Sequence, residues 1–533
     1  MMCRRKNMKL IYRILSIVLI LSFVATALVA CGQKNEEDSK ESGTLGEQAT
    51  IKETNVYGEP SFTTANEYDG LDFEGEQVTV LVRDYFANSR EWYKKSPEDE
   101  LDEAIAMRNV AVTESLNVDL QFEWVPDNGS DYYGYVERFH ALISDDIDNS
   151  LHYYDISANF GGPSVSAAIR DYTLNLMDKE LFPYFDFSLP CWNRTMVENT
   201  CFNGRLHYIS GDINLSMFDA AMVIWHNKTL YDKHKEPNDP ENMQTLALEG
   251  FWTYEELYRW TSTFFEDSNG TTGRQDDDTY ALMASNSLPC PRDCITYAWD
   301  ISTVIENPDG THSFNIVGNE KLERALVMYR NLIEPGKGTV DSWNAKHFAA
   351  GKAMFYMERM YANRENNMAI REMEDKYGLL PMPKFDMEQE QYATTAQDFF
   401  TIMFVLDHSE SPIPTKGEAV SAFLQLACEE SYTGVRGYYF NRIIKPKFFG
   451  TDDSEGTVTN SVALFDIIIA NIKFDYSYIF SQQLNSIMTL WRHTVVSSTL
   501  PTMEAAFMAK EDAFETAIKE TDAWLGLLSL DDE

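Results

Sequence analysis

The residues with the widest chemical range in this chain are its seven cysteines, and their spacing sorts them into different kinds. Cys191 and Cys201 stand ten residues apart, and Cys290 and Cys294 stand four apart in Cys290-Pro291-Arg292-Asp293-Cys294. Outside the cytoplasm, pairs this close read as local disulfides. Zinc would ask for histidines beside them, and only His207 is near. Cys428, inside Phe423-Leu424-Gln425-Leu426-Ala427-Cys428, reads as a buried thiol on a helix. Cys31 follows Leu28-Val29-Ala30, and Cys3 lies upstream of both. Hydrolytic chemistry has little to stand on. No G-x-S-x-G, H-E-x-x-H, P-loop or G-x-G-x-x-G occurs, and the nine histidines are scattered. A glycosidase needs only two carboxylates about 5 to 9.5 Å apart, and 84 acidic residues leave that open. Asp267-Ser268-Asn269-Gly270 hints at calcium, but the glycine comes too early for an EF-hand loop.

The elements that place these groups begin with a leader. Arg4, Arg5, Lys6, Lys9 and Arg13 precede a mostly apolar run from Ile14 to Val24, which is shorter than the roughly 20 residues of a membrane span. That is the form of a cleaved signal peptide, residues 1–30. Leu28-Val29-Ala30-Cys31 resembles the lipobox of bacterial lipoproteins. The resemblance implies that Cys31 becomes the acylated first residue, carrying diacylglycerol and a palmitate-type chain, and holds the protein on the extracytoplasmic face of the cell membrane. Acyl chains contribute about 0.8 kcal/mol per buried methylene. Residues 31–70 are then expected to be a flexible tether, because Gln33 to Gly43 is almost wholly polar and has too little apolar surface to offset the entropy of ordering.

With 533 residues, 44% of them hydrophobic, the chain is large enough for at least two cores. Its net charge is −40, and loss of the leader, with five basic and no acidic residues, takes it to −45. Such a body is repelled by nucleic acid and anionic lipid, which points to a neutral or cationic ligand.

Val78-Thr79-Val80-Leu81-Val82 reads as a buried strand opening into a loop, and in an open α/β sheet ligands sit beyond the carboxyl ends of strands. Arg83, Asp84, Tyr85, Glu91 and Trp92 are therefore site candidates. A helix over 102–117, a strand over 118–124, a helix over 133–144 and a strand at 154–157 continue a β-α-β-α-β rhythm. This predicts a mainly parallel sheet covered on both faces. Asn203-Gly204 is a hairpin turn signal.

From here the order of motifs resembles the extracellular solute-binding proteins, the group that includes maltose-binding protein. The matching segments are Leu174 to Asp178, Phe202-Asn203-Gly204-Arg205-Leu206-His207-Tyr208-Ile209, Ala220 to Tyr231 with its Trp225-His226-Asn227-Lys228, and Gly250 to Leu257. They continue with Asp278 to Leu282, His347 to Tyr356 around Gly351-Lys352-Ala353-Met354, Tyr377 to Pro383, Ala419 to Glu429, and Ser481 to Lys519. Insertions fall at 183–198 and 448–461. The resemblance implies an α/β, two-lobed, type II periplasmic-binding-protein-like fold, each lobe a mainly parallel sheet flanked by helices and joined by a hinge. The first lobe would comprise 75–218 and 352–402, the second 219–351 and 403–533.

The same resemblance implies a monomeric binding protein rather than an enzyme, with no cofactor or metal. It would capture a carbohydrate, most readily an oligosaccharide, and deliver it to the permease subunits of an ABC importer. A sensor signalling to a membrane kinase and a glycan hydrolase are the alternatives. Sugar rings ask for an aromatic platform with carboxylate, amide or Arg partners. Carried over residue by residue, the ligand contacts would be Asp84 and Tyr85 after the first strand, and Asn159 and Phe160 after the third. Asp219 lies near the first crossing, Glu358, Arg359 and Tyr361 follow the Gly-Lys-x-Ala-Met segment, and Trp491 is the stacking platform. Trp192, Trp225 and Trp299 are weaker aromatic candidates, and Asp276-Asp277-Asp278 reads as a solvated loop.

Overall fold

A mostly β-branched run, buried without a break from Val78 to Arg83, makes the first strand, β1 (Glu76–Asp84), and a helix follows the loop that leaves it. That helix, α1 (Glu100–Leu116), starts at Asp99, whose carboxylate accepts from the Leu101 and Asp102 amides, and stops at Asn117 in the left-handed region. Strand β2 (Val118–Pro126) runs parallel to β1 with Val80 opposite Phe122. Helix α2 (Tyr132–Asp148) and strand β3 (Ile156–Phe160) complete the predicted rhythm. Gly161 opens helix α3 (Gly161–Ile169) directly after that strand. The computed structural model describes residues 53–54, 60–61, 68 and 70–528, apart from 86–89, 94–95, 128, 130, 271–274, 276, 286–288, 335–337, 343, 364–368, 410, 412–414 and 450–456. The leader and Cys31 lie outside the described residues.

The chain then enters a second sheet. Its strands are β4 (Met222–Asn227), β5 (Thr279–Ala284), β6 (Thr339–Val340), β7 (Ala353–Arg359) and β8 (Tyr377–Leu380). They lie in the order β6-β5-β7-β4-β8, with helix α4 (Pro289–Ala298) following β5. Strand β9 (Thr401–Val405) returns to the first sheet, whose order is β9-β3-β1-β2 with only β9 antiparallel. Helix α5 (Gly417–Glu430) packs on α1, α6 (Thr457–Ala470) packs on β8, and α7 (Ile487–Val496) packs on α4. No helix among the described residues is long and apolar enough to cross a membrane.

Two lobes are therefore present, but their boundaries differ from those expected. The Gly351-Lys352-Ala353-Met354 segment does not lead back to the first lobe, because β7 pairs parallel with β5 and antiparallel with β4 inside the second sheet. Conversely, residues 403–448 begin in the first lobe, where α5 covers α1 and the Tyr68 hydroxyl donates to Glu429. Motif order cannot decide sheet membership, since a strand of the same sequence pairs with either edge. Within the expected tether, a few residues are described. Glu53–Thr54 pairs with Pro60–Ser61, and Tyr68 is buried.

The Asn203-Gly204 turn forms as predicted, both residues at positive φ and Phe202 exchanging two backbone hydrogen bonds with Arg205. The two lobes meet through paired crossings. The Gln397 amide donates to Ala220 O at 2.9 Å and the Met222 amide to Thr395 O at 3.1 Å.

The close cysteine pair at 191 and 201 is not bridged; both are thiols. Cys191 is buried against α5, where the Cys428 thiol donates to its carbonyl at 3.0 Å, and burial pushes the Cys191 thiol well up. Cys201 ends a separate short helix, Arg194–Thr200. Cys428 is the buried helical thiol expected, and the side chain of Cys290 lies outside the described ones. Gly211 shows how tight the packing is, for an added Cβ there would stand 2.5 Å from Cys428 Sγ. Cys201→Ser is expected to change the unfolding free energy by less than about 1 kcal/mol in a denaturant titration, whereas loss of a bridge would cost about 2–5 kcal/mol.

Candidate functional site

The carboxyl ends of β1 and β3 bring a guanidinium among aromatic rings. Arg83 lies 4.1 Å from the Phe160 ring centroid, 4.5 Å from Tyr85 and 5.6 Å from Tyr135. Its charge is held by Asp127 at 2.7 Å, and its Nη1 donates to Phe399 O at 3.3 Å. That carbonyl belongs to the second crossing, so the first lobe reaches the hinge directly through Arg83.

On the other side of the crossing, Arg359 ends β7. Its Nε donates to Glu358 at 2.6 Å, its Nη1 donates to Gln397 Oε1 at 2.9 Å, and its guanidinium stands 5.4 Å from the Phe399 ring. Gln397 in turn donates to Asp398. Arg492, on α7, grips Asp293, on α4, through Nε at 3.0 Å and through Nη2.

Asp398 lies between Gln397 and Phe399 on this crossing. Its side chain reaches solvent, yet protein crowds around it and raises its carboxyl above the ordinary range. The Gln397 hydrogen bond and the charges of Arg492, Arg83 and Arg359 oppose that rise. Asp293 is also pushed up, to about 6, chiefly by burial, against the pull of Arg492 and with Asp398 adding to the rise. Exposed Asp398 thus stands on a crossing that guanidiniums from both sheets reach, where paired donors and acceptors suit the hydroxyl groups of a small polar solute.

The sequence-predicted residues divide accordingly. Tyr85 and Phe160 flank Arg83, while Glu358 is a buried anchor for Arg359, which belongs to the cleft. Asp84 is exposed at the strand end, and the side chain of Tyr361 lies outside the described ones. Asn159 is a supporting residue, its Oδ1 accepting from the Tyr135 hydroxyl at 3.1 Å and the Phe160 amide at 2.9 Å, while its buried Nδ2 has no hydrogen-bond partner among the described residues.

Several readings need correction. Trp491 is 4% exposed, its indole N–H donating to Arg292 O at 2.8 Å and its ring lying 6.2 Å from Tyr329, so it is part of the second lobe's core and offers no platform. Helical periodicity puts its neighbour Arg492 toward the cleft instead. Asp219 is buried below the crossing and accepts from the Tyr439 hydroxyl. Glu91 and Trp92 are both 1% exposed and belong to the first lobe's interior. Trp192, Trp225 and Trp299 are likewise buried, and Asp278 is a buried loop staple accepting from the Ser268 and Gln275 amides. Sequence reasoning missed Asp293, Gln397, Asp398 and Arg492. Gln397-Asp398-Phe399 carried the only readable signal, a polar pair set in an otherwise apolar approach to β9.

No family profile and no curated protein sequence matches the chain. Solved structures do resemble it. The sugar-binding protein MalE from Xanthomonas citri aligns with a TM-score of 0.51 at 12% identity, over 84% of this chain and 97% of that one. The cyclic alpha-maltosyl-1,6-maltose binding protein from Arthrobacter globiformis aligns with a TM-score of 0.51 at 14% identity, over 84% and 99%. At such identities the likeness is one of fold alone, a two-lobed α/β architecture of the type II periplasmic-binding-protein-like form.

Proposed function

We propose that this protein is a lipid-anchored solute-binding receptor that takes a carbohydrate into the interlobe cleft and delivers it to an ABC importer, without changing it chemically. The observation that carries the reading is that Arg83, from the first sheet, and Arg359, from the second, both reach the crossing beside exposed Asp398, through Phe399 O and Gln397 Oε1. A solute touching all of them bridges the lobes, and its preference for the closed arrangement sets how far the population shifts. The sugar-binding neighbours of the same fold support the choice of a carbohydrate. The Leu28-Val29-Ala30-Cys31 signature supports the anchor, and a closed form presenting both lobes to a permease supports delivery.

A thermal-shift screen against a broad glycan panel tests it. A bound sugar at 100 times its dissociation constant is expected to add about 2.7 kcal/mol of stability. If no glycan moves the melting temperature while polyamines or peptides do, the carbohydrate reading is wrong. The raised carboxyls of Asp293 and Asp398 give the hydrolase alternative its one foothold, since glycosidases use such a pair. Both oxygens of Asp293 are held by Arg492, which leaves it poorly placed to hand over a proton. Bound sugar should therefore be recovered intact, and shortened products would favour the hydrolase.

A further inference from the structure

We propose that a second solute site spans the hinge, apart from the cleft groups, and that it takes an uncharged ring bearing hydroxyls, whose seating holds the two lobes in the arrangement of this structure. The inference stands on the fold and does not depend on what the cleft binds. A cavity of about 400 Å³ opens beside the first crossing, within the size range of small-molecule sites. Among the described residues, none of the cleft groups lines it. Its walls come from both lobes. Trp192 is tied to the first lobe, its indole N–H donating to Gln425 Oε1 on α5 at 2.9 Å, while Ile469 and Ala470 belong to α6 of the second. Phe218 lines it from the approach to the crossing itself. The Phe474 amide, just past α6, donates to Thr195 Oγ1 at 3.2 Å and so joins the lobes beside the same space. A solute that fills the cavity touches both lobes at once, and it favours the arrangement in which both walls reach it.

The lining sets the chemistry of that solute. Arg436 Nη1 donates to Asp212 Oδ2 at 2.7 Å, and the Asp212 side chain is only 5% exposed. The charges of this pair cancel, and at the rim Arg194 and Asp466 add one of each sign. A charged solute would lose its hydration without gaining a counter-ion, so an uncharged one is preferred. A carboxylate has about four acceptor sites, so Asp212 still takes a hydroxyl proton while it holds Arg436. The guanidinium lies 4.6 Å from the Tyr432 ring centroid and 5.2 Å from that of Phe440, which leaves aromatic surface around the pair. With Trp192 and Phe218 these rings suit the apolar faces of another ring. The backbone is wound as π-helix on both sides of Arg436, over Ser431–Val435 and Tyr439–Phe448, a rare geometry that is frequent at functional sites.

Arbutin, a hydroxylated aromatic ring joined to glucose, is the probe, with hydroquinone and methyl β-glucoside as its two halves. Calorimetry on the full chain is expected to show arbutin binding, and the half that competes with it identifies the ring the cavity holds. Ala470 is exposed at the rim, so Ala470→Trp fills the space without entering a core. That variant, with an unchanged circular dichroism spectrum, should weaken arbutin at least about tenfold; Ala470→Gln, which narrows the mouth, takes its place if the larger side chain prevents folding. Arbutin at ten times its dissociation constant should slow hydrogen exchange of the Phe474 amide about tenfold, because opening that join must first release the solute. No heat from arbutin or from either half, undiminished binding to the folded Ala470 variant, or unaltered exchange at Phe474 with arbutin bound overturns the inference. Each of those results leaves the carbohydrate reading of the cleft standing, since the glycan panel tests that reading separately.

Discussion

Replacing Trp491 by Ala is expected to lower the unfolding free energy by about 3–5 kcal/mol, the range for removing a large aromatic side chain from a packed core. The indole lines a small cavity together with Tyr297, Thr296, Ile316, Ile487 and Met503, and its N–H is satisfied by the Arg292 carbonyl, so truncation leaves both a larger void and an orphaned acceptor. Solute affinity should fall too, through Arg492, whose hold on Asp293 depends on the seating of α7. Urea unfolding separates the two roles. A truncation that left stability untouched yet abolished binding would make Trp491 a platform after all.

The second large effect concerns Glu91, which joins the roots of both crossings. Its carboxyl accepts from the Ser216 amide at 2.7 Å, from the Ser216 hydroxyl at 3.0 Å and from the Thr401 hydroxyl. Ser216 precedes the first crossing and Thr401 opens β9 after the second. Full burial pushes this carboxyl up to about 8, against those hydrogen bonds and with nearby Asp219 adding to the rise. Arg108, close enough to feel its charge, spends its own donors on Ser431, Asn109 and the Glu91 and Trp92 carbonyls.

Between about pH 4.5 and 8 the unfolded chain gives up this proton while the folded protein keeps it. The stability contributed by Glu91 is thus fully present below pH 4.5 and declines as pH rises toward 8. Each pH unit climbed inside that window removes about 1.4 kcal/mol, so the whole loss amounts to several kcal/mol. Glu91→Gln mimics the neutral acid and should remove that part of the slope, leaving the variant more stable than the parent at pH 8 and similar at pH 4.5. Denaturant titrations across that range check it; parallel pH profiles would mean that Glu91 does not change protonation in the window.

Much of the first lobe was legible because its signals are local. Val78 to Val82 is β-branched, Asp99 and Asn117 punctuate α1, and Asn203-Gly204 takes the two positive φ values its turn needs. Of the site, Tyr85, Phe160 and Arg359 were within reach, since they end strands and strand ends face the cleft. Asp398 and Arg492 were not, because nothing near them in sequence announces a common space. The reading of Trp491 failed for a related reason: a motif fixes the position of a helix along the chain, whereas its rotation against α4 decides whether Trp491 or Arg492 meets solvent.

What the amino-acid order determined unaided is therefore the alternation of strands and helices, the hairpin and the resemblance that implied two hinged lobes. Those follow from backbone sterics, capping and hydrophobic period, each acting within a few residues. Only the tertiary structure decided that 353–359 pairs inside the second sheet, that Cys191 and Cys201 stay apart, and that Arg83 and Arg359 reach the same crossing. Such outcomes depend on which distant surfaces bury each other, a choice made by the summed packing of the chain rather than by any segment of it.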